Sequence, residues 1–179
     1  MAQQSSPAPA PALLPPAPTP SVSPSPADAE LTQTYRQPQG AFEISLPKDY
    51  KYEETETGLI FGATDESFRG EVVFGSAQGE KYTNQQLEEF LKEAYKSNLK
   101  LADVQWQQTE VQADGSVRLD WVGTDPQGNV LDAESFIEQR GDTIFILTLS
   151  GINKPYIDYV DQAQAIVSSY RVQQTSSDS

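Results

Sequence analysis

Three tight-turn signals punctuate the second half of the chain and force it to fold back on itself. Asp114-Gly115, Asp125-Pro126-Gln127-Gly128 and Arg140-Gly141-Asp142 each stand between two segments of alternating character. Val104 and Trp106 open the first segment. In the second, Val117, Leu119 and Trp121 alternate with Arg118 and Asp120. In the third, Leu131, Ala133 and Ile137 alternate with Asp132, Glu134 and Glu138. The fourth, Thr143–Ser150 (TIFILTLS), is the most continuously apolar run of the chain, which predicts a central strand covered on both faces. Tight turns join only antiparallel neighbours, so these four segments are expected to pair in succession.

Upstream, Phe42, Ile44 and Leu46 alternate with Glu43 and Ser45 and end at Pro47. Gly58–Thr64 and Glu71–Gly75 read as two further strands. The period then changes. Leu87, Phe90, Leu91, Ala94 and Tyr95 follow at spacings of three and four, behind a Thr83/Gln86 capping box. A second helix is expected from Pro155, with Tyr156, Tyr159, Val160, Ala163, Ile166, Val167 and Tyr170 on one stripe. The order predicts an α+β fold: an antiparallel sheet of about six to seven strands sandwiched between two main helices, one on each face.

Nine of the thirteen prolines lie in the first 26 residues, among Ala, Ser and Gln, with no charged side chain before Asp28. Such a stretch buries too little apolar surface to offset ordering entropy, so residues 1–33 are expected to form a disordered tether. If extended like polyproline, its 26 Pro-rich residues span roughly 80 Å. Residues 34–173 are expected to form one globular domain and 174–179 a disordered tail. The N-terminal residues lack the basic n-region and apolar h-region of a signal peptide. Export would then mean that the signal has already been removed, with Met1 standing at the place of a lipid-bearing cysteine.

The net charge of -14 includes -11 from residues 35–172, where 23 acids face 12 bases. That balance argues against nucleic acid and against an anionic membrane surface, and it admits a basic protein partner or divalent cations. The chain has no Cys and no His, which removes disulfides, Cys/His zinc sites, thiolate catalysis and a Ser-His-Asp triad. No catalytic residue is assigned and the chain is expected not to be an enzyme.

A metal site is sought instead among oxygen ligands. Asp49, Glu53, Glu54 and Glu56 cluster around an early loop and strand, and their oxygen ligands suit Ca²⁺ or Mn²⁺. The competing reading is a solvated acidic edge, since a tight site needs six to eight oxygens and no D-x-D-x-D-G loop occurs. Asp132, Glu134 and Glu138 share a strand face, with Asp120 across from them; such carboxylates can hydrolyse glycosides, but on a hairpin they more often keep a face soluble. Trp106, Trp121 and Phe136 read as core rather than as a stacking platform, and Arg140-Gly141-Asp142 as a turn rather than a receptor ligand.

Two segments carry a family resemblance. Gly40–Tyr50 (GAFEISLPKDY) is similar to an opening strand that ends in Leu-Pro before an aromatic residue. Ile144–Val172 runs from a strand through Tyr156 into a helix that closes on Ile166-Val167-Ser168-Ser169-Tyr170-Arg171-Val172, similar to a "vv-x-SF-r" ending with Tyr170 in place of Phe. Both resemble the PsbP-like family: PsbP of photosystem II, its cyanobacterial counterpart CyanoP and thylakoid-lumen PsbP-domain proteins. The same fold is shared by DcrB and LpqN type lipoproteins and by a nuclear Ran-binding protein. The resemblance implies a monomeric, non-enzymatic accessory protein that docks to a membrane-protein complex such as photosystem II. Its implied place is the thylakoid lumen or periplasm, tethered through an N-terminal anchor. The alternative it implies is an envelope lipoprotein of the DcrB/LpqN kind that binds a small ligand or supports cell-envelope upkeep. The family's His-containing metal site does not carry over, because the chain has no His.

Overall fold

The computed structural model describes residues 31–98 and 100–173; the expected tail, and the expected tether up to residue 30, lie outside them. The described residues form ten strands and two helices. In chain order they are β1 (Leu31–Arg36), β2 (Phe42–Pro47), β3 (Lys51–Thr55), β4 (Gly58–Gly62), β5 (Phe68–Ser76), α1 (Asn84–Asn98), β6 (Ala102–Val111), β7 (Val117–Thr124), β8 (Val130–Arg140), β9 (Thr143–Ile152), α2 (Val160–Ser169) and β10 (Arg171–Val172). Seven strands form one antiparallel sheet in the order β3-β4-β5-β9-β8-β7-β6, and β1-β2-β10 form a second, small one. The fold is α+β, with a seven-stranded sheet as its centre.

β9 is the fourth of the seven strands, and every residue from Ile144 to Gly151 is buried. It carries Ile144 and Ile146 to one face, and Phe145, Leu147 and Leu149 to the other. α1 covers the first face through Leu87, Leu91 and Tyr95, which pack on Val117, Leu119, Trp121, Ala133 and Ile137. Its start is the expected box: Thr83 N–H donates to Gln86 Oε1 at 2.8 Å, and Gln86 N–H to Thr83 Oγ1 at 3.1 Å. The small sheet and α2 cover the second face. Phe42, Ile44 and Leu46 from β2, with Ala163 and Ile166 from α2, bury Leu59, Phe61, Phe68 and Val72. Ser169 lets α2 end close against β2, because its Oγ accepts the Ser45 N–H at 2.9 Å.

Three expectations need correction. Leu31–Gln33, expected in the tether, lie in β1 and pair with β2. The count of seven strands holds, but β2 belongs to the small sheet, and its place in the large one is taken by β3. Every residue of β3 is exposed, so its sequence KYEET carries no alternation to read. The last helix does not start at Pro155: a 3-10 turn spans Tyr156–Tyr159 before α2 begins.

The two covers are offset. α1 lies over the β7-β8-β9 side of one face, while the small sheet and α2 lie over the β4-β5-β9 side of the other. Each face therefore keeps a half that no other described element covers. On the second face that half is formed by β6 and β7, with β8 along its border, and it carries a dense group of charged side chains. No helix among the described residues is long and apolar enough to cross a membrane.

Candidate functional site

The four acidic residues expected to hold a metal are spread along a hairpin edge. Asp49 lies in the turn before β3 and Glu56 in the turn after it, both exposed. Glu53 and Glu54 are adjacent in β3 and so point to opposite faces. Glu54 Oε2 accepts the Tyr35 hydroxyl at 2.7 Å, a bond that helps, after burial, to push the Tyr35 phenol up to about 12. Glu53 lines an open groove of about 970 Å³ with Lys51, Arg69 and Lys154. Among the described residues, no three Asp or Glu side chains gather in a way that could hold a metal ion.

The other expected carboxylates do come together. Asp120 of β7 and Glu134 of β8 are direct cross-strand partners, and Arg118, Asp132 and Glu138 lie on the same face. Arg118 is the hub. Its Nη2 lies 3.3 Å from Glu110 Oε1, and its Nε lies 3.4 Å from Asp120 Oδ1 and 3.2 Å from Glu134 Oε2. Those Nε distances allow charge pairing, but Arg118 Nε and Asp120 Oδ1 are both buried without an aligned hydrogen bond. One guanidinium therefore faces three carboxylates. Burial, outweighing the pull of Arg118, raises Asp120 and Glu134 above the ordinary carboxylate range.

Tyr156 closes one end of this group. Its hydroxyl donates to Glu134 Oε1 at 2.6 Å, and its backbone N–H donates to Asp132 Oδ2 at 2.8 Å. Burial and the neighbouring Glu134 push the phenol strongly upward, so it stays a donor. Glu138 lies further along β8, buried against Arg140, which reaches its Oε1 from Nε at 2.9 Å and from Nη2 at 2.7 Å. What the group offers is negative charge and hydrogen-bond acceptors on a firm strand surface, held in place by one cation and one phenol.

Two competing sequence readings are settled by parity. Trp121 and Trp106 pack with ring centroids 5.7 Å apart on the α1 side, whereas Phe136 is on the opposite face, so the three form no common platform. In Arg140-Gly141-Asp142, Gly141 takes a φ of 61° and the Asp142 carboxylate is used within the fold, by Ser76 Oγ at 3.0 Å and Gly79 N–H at 2.7 Å. Sequence reasoning missed the roles of Arg118 and Tyr156. Arg118 was legible, because period two places it beside Asp120. Tyr156 was not, because it reads as one member of an apolar helical stripe.

No family model matches the chain, and no curated protein matches it in sequence. Solved structures do match in shape. Cyanobacterial PsbP (CyanoP) from Synechocystis sp. PCC 6803 is similar at a TM-score of 0.61 and 15% identity, over 79% of this chain and 92% of that one. A protein from Bacteroides thetaiotaomicron VPI-5482 is similar at 0.55 and 12% identity; the match covers 81% of this chain and 50% of that one. A point mutant of the protein Mog1 is similar at 0.57 and 9% identity, over 80% and 96% of the two chains. Identities this low speak to architecture. The offset layers, the antiparallel sheet and the closing helix together give this chain a PsbP-like fold.

Proposed function

We propose that this chain is a non-enzymatic accessory module that docks to a membrane-protein complex on the exported side of a membrane, with photosystem II as the complex its fold suggests. The likeness to CyanoP supports the class. One observation carries the docking mode: the half-face on β6 and β7, bordered by β8, where Glu110, Asp120 and Glu134 surround Arg118. A face with three carboxylates to one guanidinium complements a basic partner surface. It would steer encounter and fix register more than it would supply raw affinity.

The test is affinity capture with the full chain from detergent-solubilised membranes of a cell that contains photosystem II. A membrane-protein complex should be retained at low salt and released as salt rises. The Glu110→Lys variant should retain it less well, since Glu110 is half exposed at the rim and its replacement spares the core. Recovery of no membrane complex, or equal retention by the variant, would overturn the reading.

A further inference from the structure

A second cavity, of about 350 Å³, lies where the end of α2 and β10 meet the β7–β8 end of the large sheet. Its floor is apolar: Phe136 from β8, Leu147 from β9 and Val167 from α2. Its polar lining includes Glu138, Arg140 and Tyr170. Tyr170 ends α2, with its N–H bonded to the Val167 carbonyl at 3.1 Å, and its ring packs on Phe42 with centroids 6.3 Å apart. Its hydroxyl is buried and has no hydrogen-bond partner among the described residues. A Phe at this position would fill the same space without the cost of an unbonded hydroxyl.

Glu138 faces the same cavity and is itself only 8% exposed. Arg140 occupies its Oε1 from two nitrogens, which leaves Oε2 free of a hydrogen bond among the described residues. The residues lining one space therefore bring together a carboxylate with a free acceptor oxygen and a buried hydroxyl, and the hydroxyl lacks a partner among the described residues that a molecule placed beside it would supply. The charges around the space cancel, Asp114 and Glu138 against Arg140 and Arg171. A charged guest would gain no counter-ion there and would lose its hydration. A neutral guest with an apolar body loses neither.

We infer that this cavity is a binding site for a small neutral molecule that has an apolar body and one hydroxyl or carboxamide head. The body lies on Phe136, Leu147 and Val167, and the head bridges Glu138 and the Tyr170 hydroxyl. Its volume falls at the small end of ligand pockets. This binding stands apart from docking, since the open half-face around Arg118 contributes nothing to it.

The experiment uses the full chain, labelled at its methyl groups, with benzyl alcohol and benzamide as neutral probes. Toluene lacks the head; benzoate and benzylamine carry a charge. The neutral probes should shift the methyl resonances of Leu147, Val167 and Val172 saturably, with toluene, benzoate and benzylamine each at least about tenfold weaker. Tyr170→Phe should weaken benzyl alcohol by a similar factor while the variant melts no lower than the parent. Unchanged methyl resonances up to the solubility limit of both neutral probes would mean a cavity filled by water alone and would overturn the inference. Equal binding of toluene, or unchanged affinity in Tyr170→Phe, would overturn the role given to the polar head.

Discussion

Ser135→Ala should cost this protein more stability than the loss of one hydroxyl suggests. Ser135 is fully buried, and its Oγ joins two buried groups, one of which has no other partner. Trp121 Nε1–H donates to it at 3.0 Å, and Thr148 Oγ1 lies 2.7 Å from it. Thr148 is bonded in turn to the Tyr95 hydroxyl, so a chain of four polar groups runs through the core beneath α1. Trp121 is 1% exposed, and water cannot replace the lost acceptor without opening the core. Leaving the indole N–H unsatisfied costs about 1–3 kcal/mol, and loss of the Thr148 bond adds about 1 kcal/mol more. The sum is about 3 kcal/mol, or roughly 10 °C in Tm for a domain of this size. Urea unfolding followed by tryptophan fluorescence measures the first quantity. Hydrogen exchange of the Trp121 indole N–H reports the bond itself and should speed up in the variant. Thr109→Ala is the control, since Thr109 gives only an exposed hydrogen bond to Glu88 at 3.2 Å. A Ser135→Ala loss no larger than the control, with Trp121 exchange unchanged, would refute the argument that this core is satisfied only from within.

Two glycines of β5 should respond oppositely to alanine: at Gly70 the new Cβ would sit 2.2 Å from Phe61 Cζ inside the core, for a loss of about 1–3 kcal/mol, whereas at Gly75 it meets nothing within 4 Å and should be neutral or slightly stabilising in the same urea titration. The stability curve against pH should peak on the acid side of neutral. Glu71, Glu134, Glu138 and Asp120 are raised chiefly by burial, so the stability they contribute is complete below their unfolded pKa and is lost as pH rises through the folded one. Asp65, Asp114 and Asp125 are instead held low within their turns, and their contribution is lost as pH falls below the normal aspartate range. Urea midpoints measured from neutral to strongly acid pH should rise and then fall; a steady decline from neutral downward would contradict this.

How far the fold could be read from the sequence depended on whether a strand had an inside. β7 and β8 alternate cleanly because α1 covers one face of them and no described element covers most of the other, and their turns carry Gly115, Gly128 and Gly141 at positive φ. β1 and β10 are short edges, and β3 is exposed throughout, so no apolar period marks them; they form because β2 and β4 offer unpaired backbone. Of the candidate site, the carboxylates on β7 and β8 were legible, since a shared parity puts Asp120 beside Glu134. Tyr156 and Tyr170 were not, because each serves as an apolar residue along most of its ring and shows a polar role only when the fold places its hydroxyl.

The switch of parity across the large sheet explains why the polar groups of interest gather where they do. In β7 and β8 most of the apolar residues point toward α1, and the charged ones point away. In β4 and β5 the pattern is reversed: Leu59, Phe61, Phe68 and Val72 point toward the small sheet and α2, while Arg69 and Glu71 take the other face. β9 stands between the two halves and lies under both covers, and this is the physical reason that TIFILTLS has no polar face. A cover made for one half must end somewhere, and α2 with β10 ends over β8, whose residues on that face include the charged Asp132, Glu134 and Glu138 beside the apolar Phe136. At that seam charged side chains are carried under an apolar lid. Tyr156 takes up the carboxylates at one end of it; at the other, Arg140 holds Glu138 and the Tyr170 hydroxyl has no partner among the described residues. The proposed docking face and the small cavity are thus neighbours for one reason: both border the line along which the sheet changes the side it buries.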